Sequence, residues 1–288
     1  MTNKTIFITR IKNEEDLKEN NFKRLITAVC DGGINEENMY VVAKLKEGYR
    51  KVELDDKSDG KRNVNVQIVK DQNPTGPISI NVALDKLKSE GKELDAFLVC
   101  SREIKVSSKD IEDLIKKIKE DKDHLLVAGY KFQLEDEELD NELQAYYRNG
   151  NLIAYQVPWN TCAIWNYQLF NEYVSKFDEI TNENPFPQLS VSIDGVCIPT
   201  EYQGMEDGLA IAKAASCKEK GAEIKFALLK DNPLVWEINS DDSEIKRHRV
   251  KLARKETVMR SFMSVRDYSM RDLKNAKWDN EIISKVVH

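Results

Sequence analysis

Short apolar runs of β character alternate with amphipathic helical segments along most of this chain, and this alternation restricts the possible folds more than any other feature. A chain that switches repeatedly between a period of two and a period of 3.6 builds a layered α/β structure around a largely parallel sheet. Strand patterns fall at residues 5–9, 39–45, 64–69, 94–100, 125–132, 160–165, 191–198 and 223–229. Helical spacing falls at residues 14–30, where Leu17, Phe22, Leu25, Ile26 and Val29 share one side and Asp31-Gly32-Gly33 stops the helix. Further helices are predicted at residues 80–87, at 111–118 behind a Ser107-Ser108-Lys109-Asp110 cap, at 168–177, and from Glu206 to about Lys220. From Ser243 onward the chain reads as helical and basic. The expected architecture is a mixed, mostly parallel central sheet flanked by helices. Residues 1–240 form one domain in this reading, and 241–288 form a basic helical extension packed on it.

The chain has 288 residues, 41% of them apolar and 33% charged, which suits a globular core under a well-solvated surface. No apolar run reaches the length of a membrane span, and the amino terminus enters a strand without an export-type segment. Cys30, Cys100, Cys162, Cys197 and Cys217 are odd in number, widely spaced and without a C-x-x-C pair. They read as reduced thiols of a cytoplasmic protein, not as a disulfide framework or zinc site. Residues 244–274 carry ten Lys or Arg against four acids, +6 there and −12 elsewhere. That basic tail suits a solvated helix face against an acidic body, or contact with phosphate or an anionic membrane surface. No aromatic-and-basic nucleic-acid motif is present, and no nucleic-acid partner is expected.

The chemistry-bearing stretch is Gly204-Met205-Glu206-Asp207-Gly208, followed by an apolar helical run to Ala215. Two adjacent carboxylates in a helix's first turn sit among unpaired N–H groups at the positive dipole end and stay ionised. Such a carboxylate serves as a general base when held at a site, and as a helix cap otherwise.

The order of loop motifs resembles that of GT-A-fold glycosyltransferases of the large family-2-like group. Asn73-Pro74-Thr75-Gly76, followed by Ser79-Ile80-Asn81, is similar to an N-x-x-G loop and the helix after it. Ser101-Arg102-Glu103 stands where a strand should end in a D-x-D metal motif. Val157-Pro158-Trp159-Asn160-Thr161-Cys162 resembles the segment before the acceptor helix, and Glu206-Asp207 resembles the E-D pair, 105 residues beyond Ser101. Leu54 to Gly60 echoes a D-D-G-S-x-D segment.

The resemblance implies transfer of a sugar from a nucleotide-diphosphate donor to an unidentified acceptor hydroxyl by inverting displacement. It implies Asp207 as base, with Glu206 second. The donor would lie against Thr9, Arg10, Asn73, Gly76, Asn81, Ser101, Arg102 and Trp159. Trp165 reads as a core aromatic, and His248 or Arg249 of the tail would reach the diphosphate. At the degenerate D-x-D position three readings stay open. Glu103 holds Mn²⁺ or Mg²⁺, Arg102 binds phosphate directly, or the two are an exposed loop pair. The alternatives to a transferase are a catalytically inactive GT-A-like protein that binds a nucleotide sugar or a partner and, third, a nucleotidyltransferase.

Overall fold

The computed structural model describes residues 4–55, 60–74, 79–134, 157–178, 191–193, 196–198, 206–217, 224–236, 263, 267–268 and 277–278. Its centre is one mixed sheet in the order β12-β11-β7-β8-β5-β1-β2-β4-β3, with β6 (Ile104–Lys105) paired to β11. The strands are β1 (Thr5–Arg10), β2 (Met39–Ala43), β3 (Gly48–Asp55), β4 (Lys61–Lys70), β5 (Ala96–Cys100), β7 (Leu125–Leu134), β8 (Cys162–Asn166), β11 (Lys225–Trp236) and β12 (Lys277–Trp278). A separate hairpin pairs β9 (Val191–Ile193) with β10 (Val196–Ile198). Strand β1 runs parallel to both β2 and β5, β4 is parallel to β2, and β11 is parallel to β7 and β12. Strand β8 is antiparallel to both β5 and β7, so it alone reverses direction in the middle of the sheet.

The central strands are apolar throughout because helices cover both faces. All five residues of β2, of β5 and of β8 are buried. Helix α1 (Asn20–Asp31) buries Phe22, Leu25, Ile26 and Val29, the apolar side expected from its spacing. It ends at Gly32, where a Cβ would stand 2.6 Å from that of Ile111, so glycine lets α3 (Ser108–Glu120) pack close. Helix α3 opens on the expected cap. Ser107 Oγ accepts from the Asp110 N–H, and the Asp110 carboxylate accepts from the Ser107 N–H. Such a box contributes about 1 kcal/mol. Helix α2 (Ser79–Ser89) packs beside β2, and α4 (Glu206–Ser216) buries both carboxylates of its first turn.

Several elements differ from the sequence reading. Strand β3 is half charged and points only Val52 and Leu54 inward, so its period-two signal is faint. It is an edge strand, where charge guards against further pairing. Residues 168–177 do not form one α-helix. A short α turn at Tyr167–Leu169 passes into a π turn at Phe170–Val174, closed by the Ser175 N–H donating to Phe170 O with Ser175 at φ 72°. Strand β11 does not stop at Leu229; its register with β7 shifts between Leu229 and Leu234, and Pro233 is absorbed in that irregularity. In the stretch expected to be helical, Lys277–Trp278 instead forms β12 on the edge of β11. Gly76, the acid-rich residues 135–142, His248, Arg249 and most of the basic tail lie outside the described residues.

Candidate functional site

Chain order runs from β1 to β2 on one side of the sheet, then returns to place β5 on the other side of β1. Parallel strands whose connections diverge in this way leave a crevice beyond their carboxyl ends, where α/β proteins bind ligands. Here that crevice is a cavity of about 210 Å³. The exit of β1 contributes Arg10, Ile11 and Lys12, the exit of β5 contributes Cys100 through Glu103, and Asn160 closes one wall. Among the described lining residues three side chains are cationic and one, Glu103, is a carboxylate.

Asp16 organises the β1 exit. Its Oδ2 accepts from the backbone N–H of Lys12 at 2.6 Å and of Asn13 at 3.2 Å, while Asn13 Oδ1 accepts from the N–H of Glu15 at 2.9 Å. Its Oδ1 lies 3.0 Å from Arg102, which also pairs with Glu19 at 2.7 Å. Arg102 therefore clasps the β5 exit onto the β1 exit. Burial pushes the Asp16 carboxyl up, but the Lys12 and Asn13 N–H groups and the Arg102 guanidinium outweigh it and hold it below its ordinary value. Thr9 ties the same two strand ends from beneath: it is fully buried and its hydroxyl donates to Cys100 O at 2.7 Å.

The reversed β8 brings the segment before it to the same end of the sheet. The Ser101 N–H donates to Thr161 O at 2.8 Å, and the Asn160 N–H donates to Asp207 Oδ2 at 2.7 Å. Ser101 and the Glu206-Asp207 turn, remote in sequence, thus meet across residues 160–161. Asp207 is 4% exposed and its Oδ1 accepts from the Gly208 N–H at 2.7 Å. It stands behind the cleft wall, one residue from the lining. Asn160 Oδ1 accepts from the Trp165 indole N–H at 2.9 Å, whereas its Nδ2 is buried with no hydrogen-bond partner among the described residues. Gly129 on β7 admits this loop: a Cβ there would stand 2.8 Å from that of Pro158.

Other residues singled out from the sequence sit elsewhere. Asn81 turns both amide atoms onto one backbone group, donating to Phe177 O at 2.8 Å and accepting from the Phe177 N–H at 2.9 Å. Asn73 is exposed after β4, its N–H donating to Asp71 Oδ1 at 3.0 Å. Trp159 is buried, and Trp165 is a core aromatic as expected, stacked on Phe97 with edge contacts to Phe170 and Phe177. Glu103 is exposed, its N–H 3.4 Å from Ser101 Oγ. Among the described residues no group of three or more His, Cys, Asp or Glu comes together to hold a metal ion. Of the D-D-G-S-x-D echo, residues 56–59 lie outside the described residues, and Asp55 pairs with Lys61 at the amino end of β4, away from the cleft.

Asp16 and Asn160 are the site residues that sequence reasoning missed. Asn13-x-x-Asp16 is a turn signature directly after a strand, which is a signal for Asp16. Nothing in the local pattern marks Asn160. Beneath the cleft, Cys100 and Cys162 are directly opposed on β5 and β8. The hydrogen bond with Cys100 and complete burial push the Cys162 thiol well above its ordinary value, so it stays protonated.

No family model matches the sequence, and no curated protein sequence does. Among solved structures the chain is similar to S. aureus TarS residues 1–349, with a TM-score of 0.46 and 16% identity over 85% of this chain and 64% of that one. It is likewise similar to a second S. aureus TarS structure, with a TM-score of 0.45 and 16% identity over 85% of this chain and 39% of that one. This chain thus spans less than two thirds of either. Among the described residues no helix is long and apolar enough to cross a membrane.

Proposed function

We propose that the cleft between β1 and β5 binds a nucleotide-diphosphate sugar and that the protein transfers the sugar to an acceptor hydroxyl. The observation that carries this reading is the convergence of three remote segments at the switch point: the cationic β1 exit, the Ser101-Arg102-Glu103 turn and the Asn160 loop backed by Asp207. A cavity of about 210 Å³ holds a diphosphate or one sugar ring, so the nucleoside would lie along its lip. In the transfer, Asp207 would take the proton of an acceptor hydroxyl that reaches past the Asn160 loop, the oxygen bonds to the anomeric carbon, and the bond from that carbon to the diphosphate breaks. Arg10, Lys12 and Arg102 offset the charge on the departing diphosphate, which is the largest electrostatic demand of such a reaction. Glu103 offers one carboxylate to Mn²⁺ or Mg²⁺. An ion there would draw its remaining ligands from the diphosphate and water.

A non-catalytic binder of the same ligand is the second reading. It is favoured by the two backbone N–H groups already bound to Asp207 and by the lack of a carboxylate cluster at Ser101 among the described residues. Calorimetric titration with nucleoside diphosphates and their sugars, with and without Mn²⁺, tests both. Saturable binding weakened by Arg10→Ala supports the shared site, and sugar release or transfer then separates the enzyme from the binder. Absence of binding by every nucleotide tried would overturn both readings.

A further inference from the structure

Asn160 is almost wholly buried, yet only half of its amide is satisfied. The Trp165 indole N–H can only donate, so the atom facing it at 2.9 Å must be Oδ1. That fixes the amide orientation and leaves Nδ2 on the other side. The backbone of the same residue is held by Asp207 at 2.7 Å, so the side chain cannot turn away as a unit. Nδ2 is shielded from water and has no partner among the described residues, while Asn160 itself lines the cleft with Arg10, Lys12 and Ser101. A buried amide donor left unpaired is unfavourable, and native structures keep few of them without a reason.

We propose that Asn160 is a ligand-binding residue whose Nδ2 donates a hydrogen bond to a phosphate oxygen of a nucleoside diphosphate held between β1 and β5; this rests on the reading of the cleft as a nucleotide-sugar site. The phosphate is favoured as acceptor because the cleft walls carry guanidinium and ammonium groups beside this neutral donor. Because Nδ2 is shielded from solvent, the bond forms as the cleft wall gives way to the ligand. Asn160 is then an oriented donor, with Trp165 and Asp207 holding it from behind.

The test substitutes Asn160→Asp in the full chain and titrates UDP and GDP by calorimetry from pH 4.5 to 7.5. The introduced carboxylate still accepts from Trp165, but turns an acceptor instead of a donor toward the ligand. Affinity should fall at least tenfold at pH 7.5 and recover relative to wild type as the pH drops, because a protonated carboxyl donates again. Relief of charge repulsion alone would also give this recovery, so the donor role is read from Asn160→Ala, whose loss of affinity a buried structural asparagine would not show. Asn160→Ala, which removes the donor without adding charge, should weaken binding about fivefold and decides the matter if Asn160→Asp does not fold. Wild-type binding with both variants within twofold of it at every pH overturns the role of Asn160 alone. Failure of the wild type to bind either nucleotide, or any other diphosphate tried, overturns the site reading with it.

Discussion

Replacing Asp207 by Asn tests whether this carboxylate is a base or a brace. An asparagine is a good helix cap in general. Here it is not equivalent, because both carboxylate oxygens accept backbone N–H groups, one from Asn160 and one from Gly208, each at 2.7 Å. An amide can satisfy only one of them and points its own NH₂ at the other. Hydrogen bonds to a buried charged group are worth about 1.5–3 kcal/mol each, and the surviving one becomes neutral and weaker. Asp207→Asn should therefore cost about 3 kcal/mol, a fall of roughly 6–12 °C in melting temperature for a chain of this size. Glu206→Gln makes the same charge change in the same helical turn and is the control. The assays are thermal melting and, once a donor is found, turnover and donor affinity. A melting temperature within about 1 °C of wild type would refute the bracing argument, since the geometry leaves the amide no neutral arrangement. A base role adds a loss of turnover of about a hundredfold with donor affinity preserved. Loss of turnover and affinity in proportion would instead mean that Asp207 acts through the Asn160 loop.

Asn81→Ala leaves the N–H and C=O of Phe177 without their partners, and should cost about 2–4 kcal/mol by denaturant titration without altering nucleotide affinity. Gly129→Ala drives a methyl group into Pro158, and should cost about 1–3 kcal/mol while weakening nucleotide binding through displacement of the Asn160 loop. The Asp16 carboxyl is held below its ordinary value, so its stabilising contribution is complete above about pH 4 and is lost as the pH falls through the folded value. The gap in melting temperature between wild type and Asp16→Asn should accordingly narrow on acidification below pH 4; a constant gap would show that the ionised form is not the one being stabilised.

The parts of the fold that announce themselves in the sequence are those with a strong period or a strong cap. The buried parallel strands β1, β2 and β5 are near-continuous apolar runs, and α3 carries its capping box in plain letters. What is hidden depends on contacts between distant segments. The charged edge strand β3 exists because β4 pairs with it from Lys61 to Ile68. The break of the 167–174 helix into a π turn precedes a backbone group captured by Asn81, 96 residues away in sequence. The site divides in the same way. The Glu206-Asp207 turn is visible as acids opening an apolar helix, and in the structure Asp207 lies behind the cleft wall, bound to the Asn160 N–H. Asn160 is invisible because its meaning comes from Trp165, Asp207 and an unpaired nitrogen, none of which is a local pattern.

Arg102 belongs to both the fold and the site, and its two partners are unequal. Asp16 is buried and also holds the Lys12 and Asn13 backbone, so parting it from Arg102 would loosen the β1 exit. Glu19 has a side chain 48% exposed, and exposed ion pairs are weak, about 0.2–1 kcal/mol. An incoming phosphate therefore competes with Glu19 for the guanidinium and leaves the pair with Asp16 intact. On this argument Glu19→Gln releases Arg102 toward the cleft and strengthens nucleoside diphosphate binding by about 1.5- to 5-fold, the affinity equivalent of the pair it removes. The gain should shrink with added salt, as expected of an exposed charge. Calorimetric titration of the variant beside wild type measures it directly. Unchanged or weaker binding would mean that Arg102 is purely a clasp, leaving phosphate recognition in this cleft to Arg10, Lys12 and Asn160.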